Sequence, residues 1–174
     1  MFSMNIQGEN VYLSDISYAD LDKIVSWYNK VEHFKYATGR DMPMDMEDFV
    51  SIYEELLKSD GEFFAGIYKK EDSQMIGILK GKLETSNKRK VFISLIVIDR
   101  DYQSKGFGRE TINLSLLYLK NFVQVSEVFL AVVEGNKKGR EFWEMLGFTI
   151  YKRMNNHVII SQKQCDVIIM KRKL

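Results

Sequence analysis

Residues 91–113 read VFISLIVIDRDYQSKGFGRETIN. The opening run, Val91 to Ile98, is nearly all apolar and β-branched, the composition of a central strand covered on both faces. Two glycines, Gly106 and Gly108, follow with one residue between them. Beyond them Ile112, Leu116, Leu119 and Val123 recur at helical spacing. A loop that enters a helix through glycine turns several unpaired backbone N–H groups in one direction. With the positive end of the helix dipole they make a site for phosphate. Neither glycine has a side chain to block an anion, and both tolerate the positive φ such loops often need. Lys105 and Arg109 add charge nearby. A tight strand-to-helix turn with no ligand is the plain alternative. The common nucleotide motifs are missing: there is no G-x-x-x-x-G-K-[ST], and Thr111 stands where G-x-G-x-x-G needs its third glycine.

The rest of the chain frames this segment. Ser17 and Asp20 have capping-box spacing, and Leu21, Ile24, Val25 and Tyr28 then predict a helix from about Tyr18 to Val31. Asp45 and Asp48 open a second helix with Phe49, Ile52, Tyr53 and Leu56 on one face. Strands are expected at Glu62–Tyr68, Gln74–Leu83 and Val91–Ile98. After the glycine helix come a strand at Glu127–Val133 and a helix from Asn136 to Leu146, stopped by Gly147. Phe148–Arg153 and Cys165–Lys171 read as strands, with His157–Ser161 either a third or part of a hairpin after Asn155-Asn156. The strand-helix-strand crossover requires parallel neighbours, whereas successive strands on short links imply antiparallel pairing. The expected fold is α/β: a mixed, mostly antiparallel sheet with helices on both faces and one parallel crossover.

At 174 residues the chain is long enough for one domain, 1–174, with a real core. Its formal charge of +1 lacks the basic excess of a nucleic-acid binder. The first residues have no secretion-signal pattern, and no apolar run is long enough for a bilayer. The expectation is a soluble cytoplasmic protein, monomer or homodimer, with no membrane and no nucleic-acid partner. Cys165 is the only cysteine, so neither a disulfide nor a cysteine metal site is expected; His33 and His157 have no metal-ligand spacing.

Ile98 to Gly108 closely resembles the acyl-CoA pyrophosphate loop of the GNAT superfamily of N-acetyltransferases, Gln/Arg-x-x-Gly-x-Gly/Ala after a central strand. Asn136-Lys-Lys-Gly-Arg-Glu-Phe142-Trp143-Glu-Met-Leu146-Gly147-Phe148 resembles that family's second signature, Asn-x-x-Ala-x-x-Phe-Tyr-x-x-x-Gly-Phe. Asp20-Leu21-x-x-Ile24-x-x-Trp27-Tyr28-Asn29 is similar to the first helix of the branch with ribosomal-protein, spermidine and aminoglycoside acetyltransferases. The resemblance covers nearly the whole chain. It implies acetyl-CoA as cosubstrate, with no metal. The diphosphate would lie on the backbone of Gln103, Ser104, Lys105, Gly106, Phe107, Gly108 and Arg109. The pantetheine arm would pair with Ile96, Val97 and Ile98, and Asn136 would bond that arm, cap its own helix, or both. The acceptor would be an amine: a small molecule, a protein N-terminus or a lysine.

The sequence departs from the family pattern twice. Many relatives carry a glutamate on the central strand, and Val91–Ile98 has no carboxylate. Trp143 occupies the position of the usual tyrosine acid, and an indole cannot protonate a thiolate. Glu134 is the candidate base, acting through water; its plain role is a solvated turn residue. Cys165 is expected in a core strand, away from the chemistry. These departures keep a second reading open, a non-catalytic acyl-CoA-binding or sensing module. Asp41, Asp45, Glu47 and Asp48 lie where relatives wall the acceptor site, yet helix starts and solvent account for them. Trp27, Phe34 and Tyr36 line an acceptor pocket or belong to the core. Lys88-Arg-Lys90 reads as a charged hairpin turn.

Overall fold

The computed structural model describes residues 1–84 and 89–174. Lys88 of the expected hairpin turn lies outside the described residues. In chain order the elements are β1 (Ile6–Gln7), β2 (Val11–Asp15), α1 (Leu21–Asn29), α2 (Val31–Thr38), α3 (Met46–Lys58), β3 (Glu62–Lys69), β4 (Met75–Glu84), β5 (Lys90–Ile98), α4 (Phe107–Asn121), β6 (Glu127–Val133), α5 (Lys137–Met145), β7 (Thr149–Ile160) and β8 (Lys163–Lys173). Short 3-10 turns precede α1 at Tyr18–Asp20 and follow β5 at Arg100–Tyr102. One eight-stranded sheet has the order β1-β2-β3-β4-β5-β6-β8-β7, with β5–β6 as its parallel pair.

Helices cover both faces. Val91, Ile93, Ile112, Leu116, Leu119, Val128, Leu130 and Trp143 share one core with α4 and α5. Ile24, Trp27, Phe34, Phe49, Phe64, Leu95 and Val97 share the other with α1, α2 and α3. β5 therefore changes sides along its length. A straight strand would send 91, 93, 95 and 97 to one face. The register against β4 shifts between Lys80 and Gly81, so that Ile93 faces Gly81 and Leu95 faces Lys80, with Ser94 the extra residue. This bulge reverses the alternation and gives β5 a side chain in each core. Phe92 and Ser94 are exposed, so coverage is less complete than the apolar run suggests.

Three local expectations are corrected. The helix predicted over 18–31 ends at Asn29, and α2 follows after Lys30, which leaves helical geometry at ψ 56°. Only Phe34 of α2 is fully buried, so the helix carries no apolar stripe to announce it. Asn155-Asn156 makes no turn. Asn156 takes φ 51° inside β7, donating its N–H to Asp166 Oδ1 at 2.8 Å, where the register shifts between Met154 and Val158. The hairpin turn falls instead at Ser161 and Gln162, both at positive φ. Cys165 is only partly buried near the start of β8, not in the core.

The helix starts behave as their spacing predicts. Asp20 Oδ2 accepts from the Ser17 N–H and hydroxyl at 2.8 and 2.7 Å, and Asp45 caps α3 through the Asp48 N–H at 2.8 Å. Among the described residues no helix is long and apolar enough to cross a membrane.

Glu110, in the first turn of α4, clamps that helix to the β1–β2 turn. Its carboxylate accepts from the Asn10 N–H at 2.8 Å, the Asn10 side-chain amide at 3.0 Å and the Val11 N–H at 3.2 Å. Gly8 permits the approach, since a Cβ there would lie 2.4 Å from Leu114 Cδ1. Burial pushes the Glu110 carboxyl up, but its hydrogen bonds from Asn10 and Val11 outweigh that and hold it below the ordinary glutamate value. The stabilisation is therefore complete above the ordinary glutamate pKa and is lost as pH falls through the lower folded value. Glu110→Ala is expected to cost about 1–2 kcal/mol at neutral pH, a fall in Tm of about 2–8 °C. Thermal melts of Glu110→Gln and wild type should converge on acidification.

Candidate functional site

The site begins where two strands part. β5 and β6 pair from Lys90↔Glu127 to Ile93↔Leu130 and no further. Beyond that point β5 stays with β4 as far as Ile98, and β6 stays with β8 as far as Val133. The bulge at Ser94 lies at the point of divergence. Its stronger local twist and bend carry β5 away from β6. Ala131, midway along β6, is exposed as a result.

The backbone edge of β5 in this gap follows from alternation. Asp99 donates its N–H to Ile76 O at 2.7 Å, which turns Val97, two residues back, toward β4 as well. Ile96 and Ile98 then face the gap. Val97, expected on the cofactor edge, is on the other one. Ile98 O already accepts from Gln103 Nε2 at 2.8 Å. The open groups are thus the Ile96 N–H and C=O and the Ile98 N–H.

At the end of β5 the chain passes through the Arg100–Tyr102 turn into the glycine loop. Ser104 takes φ 59° and Gly106 φ 89°, and α4 starts at Phe107. Gly108 is helical, so only the first glycine is needed for positive φ. A Cβ on Gly108 would face Ile98 Cγ1 at 3.5 Å and Phe142 at 3.6 Å, the side toward the gap and α5. The Gln103 N–H donates to Arg100 O at 3.2 Å and is not free. Among the described residues, no protein acceptor takes the N–H groups of Ser104, Lys105, Gly106, Phe107, Gly108 and Arg109. Lys105 and Arg109 are exposed beside them and in no ion pair among the described residues. Unpaired amides at the start of a 15-residue helix, beside Arg109 and a Lys105 that lies over the Tyr102 ring, make an arrangement suited to an anion, a cradle of backbone donors. A shallow groove of about 420 Å³, lined by Gly106, Arg109, Asn113 and Leu117, runs along the outer flank of α4, outside the gap.

The remaining predicted residues fall differently. Glu134, just after β6, is paired through Oε1 with Arg153 of β7. Trp143 is 6 % exposed and packs edge-on against Phe142 and Phe148, so its indole belongs to the core. Trp27 and Phe34 are also core; Tyr36 is exposed. Asp41 ties the segment after α2 to the hairpin tip through the Ser161 N–H at 3.0 Å. His33 lies 3.5 Å from Arg100, and His157 is exposed. No cluster of three metal-binding side chains occurs among the described residues. Sequence reasoning missed the surroundings of two groups. Tyr28 lies against Phe49, and burial, opposed by Arg40, pushes its phenol up to about 12. Asp99 is 7 % exposed and accepts from Trp27, 72 residues away, a link no local pattern announces.

Asn136 caps α5: its Oδ1 accepts from the Gly139 N–H at 3.0 Å. The family pattern has alanine at position 139. A Cβ here would fall 2.4 Å from Asn136 Nδ2, so the Asn136 side chain would have to shift to admit it. The cap uses the oxygen and leaves Nδ2 as an uncommitted donor. Asn136→Ala is expected to lose the cap, about 0.5–2 kcal/mol. Asn136→Asp should keep the melting temperature near wild type, because aspartate caps equally well, while removing the donor. Melts of the two variants separate capping from any ligand role.

The family model for the GNAT acetyltransferase domain matches residues 13–169. Among solved structures, spermidine N-acetyltransferase from Vibrio cholerae, in complex with CoA and spermine, superposes with a TM-score of 0.84. It is 21% identical, over 95% of this chain and 96% of that one. A GNAT-family acetyltransferase from Bacillus anthracis gives 0.82 at 12% identity over 98% of each chain. Ribosomal-protein-S5-alanine acetyltransferase from Vibrio fischeri gives 0.77 at 17%, over 97% of this chain and 96% of that one. No curated protein matches by sequence. At such identities the superpositions speak for the fold, and the family match over most of the chain speaks for descent: the protein belongs to the GNAT acetyltransferase family.

Proposed function

We propose that the protein transfers an acetyl group from acetyl-CoA to a primary amine by direct attack in a ternary complex. The observation that carries this reading is the run of unpaired amides from Ser104 to Arg109, set beside the open edge of β5. A hydrogen bond to a charged acceptor contributes roughly 1.5–3 kcal/mol net, so three or four of these anchor a diphosphate at micromolar affinity. The Ile96 and Ile98 edge supplies strand-like partners for an amide-containing arm, and Asn136 Nδ2 supplies a donor from the opposite wall.

Bound acetyl-CoA supplies an activated thioester carbonyl. The Ile96 N–H is the fixed backbone donor for negative charge developing on the carbonyl oxygen. An amine with a lysine-like pKa of ~10.4 costs about 4–5 kcal/mol to deprotonate at neutral pH, so its proton must be accepted. Glu134 is held by Arg153, which favours water as that acceptor. Trp143, sealed in the core, supplies no proton. The loss is small, because a thiol of pKa ~8.5 leaves tolerably as thiolate near neutral pH. The acceptor class we favour is a small polyamine-like amine or a protein amine, the kinds named for the spermidine and ribosomal-protein relatives.

The engaged Glu134 and the buried Trp143 favour one rival, a CoA-binding module without turnover. Acetyl-CoA at a hundred times its Kd should stabilise by ~2.7 kcal/mol, a rise in Tm of about 5–10 °C, whereas ATP and NAD should have no effect. No shift with acetyl-CoA removes the proposal. Thiol release with a panel of amines and peptides then separates enzyme from sensor, silence throughout favouring the sensor. Gly108→Asp places a carboxylate against the cradle while its Cβ makes only ordinary contacts. Its Tm should match wild type and its affinity for CoA should fall by more than about a hundredfold.

A further inference from the structure

Asp99 is the only charged side chain among the described residues that is buried. Burying a carboxylate is costly unless partners are built around it, and here they are. Oδ2 accepts from Trp27 Nε1 at 2.7 Å, and Lys23 Nζ stands 3.6 Å from the same oxygen. That ammonium also lies 5.5 Å from the Trp27 ring centroid. Burial pushes the Asp99 carboxyl up; the Trp27 and Asp101 N–H groups and the Lys30 and Lys23 charges more than offset it and hold it below the ordinary aspartate value. The group is an anion at neutral pH and no base.

Its main chain makes equally specific bonds. The N–H holds Ile76 O of β4 at 2.7 Å, and the C=O accepts from the Tyr102 N–H at 2.9 Å in the turn that leads to the glycine loop. Any residue except proline could make those two bonds. The carboxylate has two further partners: Oδ1 accepts from the Asp101 N–H at 3.4 Å and caps the Arg100–Tyr102 turn, while Oδ2 reaches α1, so Trp27→Phe is the variant that isolates the link to the helix. Trp27 is fully buried in the core shared by α1, α2 and α3, on the face of the sheet opposite α4. α2 packs against β5, and Asp41, after α2, holds the β7–β8 tip. One hydrogen bond therefore joins the start of the anion-binding loop to the helix layer on the other face.

We propose that Asp99 is a positioning residue which, through Trp27, couples the seating of a diphosphate in the 104–109 loop to the rigidity of α1. The inference rests on the cofactor reading above. A ligand that fixes the loop then also stiffens the wall which an amine entering from the α1–α2 face must meet, so the cofactor prepares the second site.

The test uses CoA as probe, with affinity by calorimetry and amide hydrogen exchange at Ile24–Asn29. In wild type, saturating CoA should slow exchange in α1 by about threefold or more. Asp99→Ala and Trp27→Phe should lose that slowing and bind CoA about tenfold more weakly. Asp99→Asn, whose amide oxygen still accepts from the indole, should retain most of both. Leu56→Ala, in the same core but distant from Asp99 in sequence, controls for lost stability and should keep the slowing and the affinity. Should Asp99→Ala fail to fold, Trp27→Phe carries the test, since it keeps an aromatic side chain at 27 and the carboxylate at 99 while removing the N–H donor. If wild type binds CoA while Asp99→Ala and Trp27→Phe keep slowing and affinity within about twofold, the coupling is refuted and the cofactor reading stands. The same holds if Leu56→Ala abolishes the slowing too. If wild type does not bind CoA, the reading beneath it falls.

Discussion

β5 and β6 share a parallel ladder over a few residues and then separate, each keeping its partner on the far side. Everything else in the site depends on that divergence. A continuous ladder would occupy the Ile96 and Ile98 edge and leave nothing for a ligand to pair with. The cause is local. One extra residue, Ser94, is accommodated as a bulge against β4, bends β5 and reverses its facing, so that Val91 and Ile93 serve one core and Leu95 and Val97 the other. Because both halves of the strand are buried, neither can slip to heal the gap.

The anion cradle uses the same economy of means. Its donors are main-chain N–H groups, freed because a helix start leaves them without carbonyl partners, and aimed by positive φ at Ser104 and Gly106. Such a site constrains conformation more than side-chain identity. Two side chains hold that conformation: Gln103 bridges back to Ile98 O, and Glu110 fixes the first turn of α4 to the β1–β2 turn. Glu110 is a negative charge close to the proposed diphosphate position, yet its oxygens point at Asn10 and Val11, where they are satisfied. The chemistry we propose, holding a thioester and polarising its carbonyl, is of the kind backbone can perform. An engaged Glu134 and a buried Trp143 are thus compatible with turnover through water.

The elements legible in the sequence were those whose cause is local. The apolar run 91–98, the stripe of α4, and the caps at Ser17, Asp45 and Asn136 all appeared where their spacing placed them. The failures share a different cause. α2 buries one large residue fully and has no period to detect. Ser161-Gln162 makes a two-residue turn with both residues at positive φ, in place of the asparagine and glycine such turns prefer, while Asn155-Asn156 has the right composition and lies inside a strand. At the site, the loop falls at a helix start and Asn136 caps α5, as their spacing predicts. The engagement of the Gln103 amide, the turning of Val97 toward β4, and the pairing of Glu134 with Arg153 were not foreseen.

The sequence by itself determined the family and the strand-loop-helix unit, because backbone amides, glycines and caps act over a few neighbouring positions. Only the tertiary structure decided which amides are free, which edge of β5 is open, and that a buried carboxylate at 99 meets an indole at 27. Those facts depend on hydrogen-bond partners far apart in the chain. Such partners are chosen by sheet order and by a single bulge, and neither leaves a periodic trace in the residues.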